Sequence, residues 1–142
     1  MVRVVANVIV KLPIERVFDA ASDPETHLQW ETSTIKVIKV SVGPMGIGTK
    51  HQGSVRFLGQ RINWESEVIE YHPNSRVVYS ITAGSMQFKE KWHFEDVEQN
   101  TKVTFIFEGD LRGFLRLFSP VAVWAWQRQA YKDLAKMKTI LE

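Results

Sequence analysis

Glu90 is the residue whose setting most invites a chemical reading. It lies in the run Phe88-Lys89-Glu90-Lys91-Trp92-His93-Phe94, where a strand would place Phe88, Glu90, Trp92 and Phe94 on one face. A carboxylate there is costly unless it finds a partner or takes up a proton. His51 has the same inward parity in an earlier run, beside Thr49, Gly53, Val55 and Phe57. If both reach one hollow, His51 and Glu90 could orient a ligand's hydroxyl or carbonyl, or work as an acid and base pair. The plain alternative is that Glu90 pairs with an arginine or ends a strand, and that His51 is a hydrogen-bonded wall residue. No catalytic residue is therefore assigned, and binding is favoured over enzymatic turnover.

Other chemistry has less to stand on. The chain of 142 residues has no cysteine, which removes disulfides, thiolate metal sites and cysteine nucleophiles. His27, His51, His72 and His93 are scattered and show no metal-ligand spacing, so neither a metal nor a cofactor is expected. A G-x-S-x-G nucleophile motif is absent. The stretch Gly43-Pro44-Met45-Gly46-Ile47-Gly48 looks like a phosphate loop but joins two strands instead of opening a helix. A net charge of +2 is too small to imply nucleic acid. With 44% hydrophobic and 24% charged residues, the composition is that of an ordinary globular protein, and no apolar run approaches the roughly 20 residues that span a bilayer. The valine-rich opening holds Asn7 and lacks a small-residue cleavage pattern, so a cytoplasmic protein without a signal peptide is expected.

The elements that must position Glu90 and His51 follow from periodicity. Val4, Ala6, Val8 and Val10 alternate as a first strand, and Pro13 opens a short helix with Val17, Phe18 and Ala21 inward. A second short helix has Ser22 or Asp23 as its cap and Pro24 at its first position, ending near Trp30. The period then drops to two, predicting strands at 32–41, 48–58, 60–71, 75–83, 86–95 and 101–110 with short turns between them. Residues 111–118 suggest a short helix or lid-like loop. Ser119 as cap and Pro120 at the first turn then begin a long helix, whose stripe is Val123, Trp126, Gln127, Ala130, Leu134, Met137 and Leu141.

Seven antiparallel strands with only one long helix to cover their apolar face define an α+β fold in one domain, residues 1–142. A sheet of that size must twist and curl around the helix, leaving a hollow. Parity lines it with His51, Val55, Phe57, Trp64, Ser66, Phe88, Glu90, Trp92, Phe105 and Phe107, and the helix closes it with Trp126 and Ala130. An interior so rich in aromatics suits a hydrophobic small molecule in a space of about 300–1,000 Å³.

The chain also resembles the START-like, helix-grip (SRPBCC) superfamily of polyketide cyclase/dehydrase and lipid-transport proteins. The resemblance runs through Leu12–Phe18, Ser22–Glu25, His27–Trp30, Gly46–Thr49, Trp64–Val68, Tyr71–Asn74, Trp92–Glu95 and Asn100–Thr104, and so covers essentially the whole chain. It implies a seven-stranded curved sheet wrapped around the C-terminal helix, and a container for a lipid, isoprenoid or polyketide-like molecule. These motifs are scaffold, so no catalytic residue is carried over with them. A cyclase or dehydratase using His51 and Glu90 is the alternative function. A further alternative is an interaction module that meets a partner or a membrane, with transient membrane-surface contact through Leu111–Phe118; the chain is expected as a monomer or a homodimer.

Overall fold

The computed structural model describes residues 1–111, 116 and 119–142. The chain runs β1 (Val2–Val10), α1 (Ile14–Ala21), a 3-10 helix (Pro24–Gln29), β2 (Thr34–Lys39), β3 (Lys50–Phe57), β4 (Gln60–His72), β5 (Arg76–Ala83), β6 (Met86–Val97), β7 (Asn100–Gly109) and α2 (Ser119–Leu141). One antiparallel sheet has the order β1-β7-β6-β5-β4-β3-β2. Consecutive hairpins build β2 to β7, and β1 pairs with β7 at the far edge. The two short helices carry the chain from that edge to the opposite one. Local chemistry explains the second. Asp23 caps the 3-10 helix by accepting the Glu25 N–H at 2.9 Å, and Pro24 fills its first turn.

Register shifts between Thr34 and Lys36 and between Val68 and Glu70 bend β2 and β4, as bulges do, and help curl the sheet. Leu58 and Gly59, with φ of 49° and 77°, form the two-residue turn between β3 and β4. The strand ends differ from expectation by one or two residues, most clearly at β2. There Thr32 leaves the ladder, and its N–H reaches Asp133 Oδ1 on α2 at 3.3 Å.

The long helix is fastened along β1, an edge strand whose outward backbone groups need partners. Gln127 accepts the Val5 N–H at 3.2 Å and donates back to the Val5 carbonyl. Lys138 reaches the Ile9 carbonyl at 2.9 Å, and Glu142 accepts the Lys11 N–H at 2.8 Å. The spacings agree: six strand residues cover about 20 Å and fifteen helical residues about 22 Å, so the two elements stay in step. Ala130, Leu134 and Met137 are buried, as the stripe predicts, whereas at the start of the helix Ala122 is buried and the expected Val123 only half-buried; Ser119, expected as the cap, already has helical backbone. Val10, Val17, Phe18, Phe94, Val103 and Met137 belong to the buried core, where Phe18 of α1 packs against Phe94 of β6 with ring centroids 5.1 Å apart. The predicted short helix or lid at Leu111–Phe118 lies, apart from Leu111 and Arg116, outside the described residues.

Candidate functional site

Toward the β2 edge the interior opens into a cavity of about 260 Å³ between the concave face and α2, a little below the range expected from the sequence. Its walls include Val55, Phe57, Trp64, Ser66, Phe88, Glu90, Phe105 and Phe107, with Trp126 and Ala130 above. Trp126 anchors an aromatic cluster, its ring centroid 4.4 Å from Phe107, 5.0 Å from Phe57 and 5.9 Å from Phe88. Exposed Arg56 and Leu58 at the end of β3, with half-buried Ser33, Ala125 and Gln129, form the rim.

Two of the expected wall residues stand elsewhere. Trp92 is buried behind the wall and donates its indole Nε1–H to Glu90 Oε2 at 2.9 Å. His51 does not line the cavity; its Nε2 lies 3.7 Å from Asp23 Oδ1. The pairing of His51 with Glu90 is thus corrected. Parity puts both on the concave face, but β3 and β6 are three strand spacings apart, about 14 Å along the sheet. His51 is opposite Ser66, whereas Glu90 is opposite Tyr79 and Phe107.

The histidine that approaches Glu90 is His27, from the 3-10 helix. Its Nε2 is 2.9 Å from the Ala21 carbonyl and its Nδ1 is 3.2 Å from Glu31 Oε1. A carbonyl and a carboxylate only accept, so both ring nitrogens donate and His27 is an imidazolium. Burial opposes that charge, but the Glu31 carboxylate overcomes it and raises the His27 pKa to about 9. Burial likewise acts to raise Glu31, and its attraction and hydrogen bond to His27, with the 2.6 Å bond from Thr34, hold it below the usual range.

Glu90 has no such compensation. Burial first, then repulsion from Glu31, push it up to about 7, against the weaker pull of His27 and the Trp92 N–H. No described residue hydrogen-bonds its Oε1. On α2, burial pushes Asp133 up to about 6, although Gln129 and Thr32 hydrogen-bond to it. The cavity is therefore amphipathic. One end is aromatic, around Trp126, and the other gathers Glu31, Glu90, Asp133 and one imidazolium. Tyr79, opposite Glu90, lines the wall while donating its hydroxyl to the Ser22 carbonyl.

Sequence reasoning missed His27, Glu31, Tyr79 and Asp133. Asp133 could have been found, because it lies seven residues after Trp126 and four before Met137, on the apolar stripe. Tyr79 likewise alternates with Val77, Ile81 and Ala83 on β5. His27 and Glu31 carry only an i,i+4 spacing that would suit any exposed helix.

A curved antiparallel sheet gripping a C-terminal helix around an amphipathic cavity defines the START-like helix-grip class. Over residues 1–142 the chain matches the family described as polyketide cyclase / dehydrase and lipid transport, and it belongs to that family. The crystal structure of TTHA0849 from Thermus thermophilus superposes with a TM-score of 0.84 at 19% identity, covering 98% of this chain and 96% of that one. That of the Zhui aromatase/cyclase from Streptomyces sp. R1128 gives 0.75 at 18% identity, with coverages of 98% and 92%. Ara h 8.0201 gives 0.71 at 12%, with coverages of 98% and 96%. No curated protein matches by sequence. Among the described residues no helix is long and apolar enough to cross a membrane.

Proposed function

We propose that this chain binds a hydrophobic molecule of roughly two fused rings carrying a hydroxyl or carbonyl. Its apolar body would rest on Phe57, Phe88, Phe107 and Trp126, and its polar end on Glu90. The observation that carries this reading is Glu90 itself, a carboxyl at the polar end of a cavity with an aromatic body, its Oε1 unbonded by any described residue. Near neutrality it is present both as acid and as carboxylate, so it can donate to a carbonyl or accept from a hydroxyl. Size supports the choice: an apolar cavity of about 150 Å³ holds one benzene ring, and this one measures about 260 Å³.

Titration with 2-naphthol, followed by tryptophan fluorescence through Trp126 and Trp64, tests the reading. Saturable one-to-one quenching is expected, weakened at least about tenfold by Ala130→Phe, which fills the space. Absence of saturation, or full binding by a folded Ala130→Phe protein, would overturn it. A second reading has its own support in the near-neutral Glu90, since an acid or base works best with a pKa close to the operating pH. In it Glu90 moves a proton in a cyclase- or dehydratase-type reaction, as the likeness to an aromatase/cyclase suggests. Glu90→Gln would then abolish turnover of a poly-carbonyl substrate while 2-naphthol still binds; unchanged turnover would exclude that role.

A further inference from the structure

Behind the cavity wall, Asp23, Glu25 and His51 bring one ligand-type atom each to within 4.8 Å of one another. Asp23 caps the 3-10 helix and Glu25 stands in its first turn, while His51 is the second residue of β3. Two acidic residues beside a turn would mean little alone. The informative group is His51, which is only 1% exposed and has no hydrogen-bond partner on either ring nitrogen among the described residues. Its Nε2 faces Asp23 Oδ1 at 3.7 Å, too far for a hydrogen bond. Buried polar groups are nearly always satisfied, so an imidazole with two orphaned nitrogens aimed at a carboxylate needs an explanation.

We propose that Asp23, Glu25 and His51 hold a divalent transition-metal ion of the zinc class, bound by His51 Nε2 and one oxygen from each carboxylate. An imidazole nitrogen with two carboxylates suits such an ion, whereas magnesium and calcium favour all-oxygen shells. The geometry is nearly assembled. Two atoms bound to one ion at about 2.1 Å lie at most about 4.2 Å apart, so Nε2 and Oδ1 already comply. The remaining adjustment falls to Glu25, whose side chain is exposed and free to rotate. Two carboxylates neutralise the ion, and Lys39, opposite His51 on β2, turns its ammonium to the Gly43 carbonyl. Pro24 lies between the carboxylates and Ser66 lies opposite His51, and both line the cavity, so the ion clips the 3-10 helix to β3 and sets the wall without reaching the ligand.

The test is calorimetric titration of the EDTA-treated full chain with zinc chloride, with magnesium chloride in parallel. One zinc per chain is expected, bound at least about 100-fold more tightly than magnesium and weakened about tenfold or more by Glu25→Gln and by His51→Ala. Because the Glu25 side chain is exposed, Glu25→Gln keeps the test decisive if His51→Ala fails to fold. No saturable zinc binding would overturn the proposal. So would equal zinc and magnesium affinity, or unchanged zinc affinity in Glu25→Gln, which would place the ion on other surface groups.

Discussion

Glu90→Gln should remove a pH dependence of stability that the buried carboxyl imposes. In the folded protein its pKa stands at about 7 against an ordinary 4.5, because burial and Glu31 disfavour its charge more than His27 and Trp92 favour it; Tyr79 faces it from β5. The native state therefore holds this proton more tightly than the unfolded chain. Stability from this group is full below pH 4.5, falls as the pH rises toward 7, and levels off above. A difference of two and a half pH units at about 1.36 kcal/mol each amounts to about 3 kcal/mol, an upper limit because the cavity admits some solvent. Glutamine keeps the acceptor for the Trp92 N–H and cannot ionise, which makes it the informative substitution. Urea unfolding of both proteins from pH 4.5 to 8.5 reads the effect. The Gln variant should gain about 2–3 kcal/mol on the wild type between the two ends, while Asp133, raised to about 6, leaves its own slope in both. A stability difference that stays constant across this range would show that Glu90 ionises as freely folded as unfolded, and the account of the polar end would fail.

Two further substitutions test the frame around the site. Gln127→Ala removes both partners of Val5 and should cost about 1–2 kcal/mol, measured by urea unfolding; a loss below a few tenths would mean that helix and edge strand are held by apolar packing alone. Gly53→Ala would drive a methyl group into the Lys36 carbonyl and the Trp64 indole, so β2 or the indole must shift. It should destabilise by about 1–3 kcal/mol and, by pushing Trp64 into the cavity, weaken 2-naphthol binding; unchanged stability and binding would show that the indole has room to move.

The frame was legible because it rests on local rules. Alternation on β6 and β7 placed Phe88, Glu90, Phe105 and Phe107 on the concave face, and a three- and four-residue rhythm placed Trp126 and Ala130 above them. Parity, however, fixes only which face a residue joins, never how far along or across the sheet it lies. That is why Glu90 and His51 looked like partners and stand in different surroundings. His51 stands beside Asp23, and Glu90 accepts from Trp92 on its own strand with Glu31 and His27 nearby; where Asp23 and His27 lie depends on where the 3-10 helix settles between α1 and β2. That one short turn, with its cap, supplies Pro24 and His27 to the cavity and two acidic neighbours to His51. A segment too short to show a period carries no hydropathy signal, yet here it brings an imidazolium toward one half-buried carboxyl and two carboxylates toward one buried imidazole. The sheet sets the cavity's shape, and the connection between its first two strands in sequence brings His27 and Glu31 to the polar end beside Glu90 and Asp133.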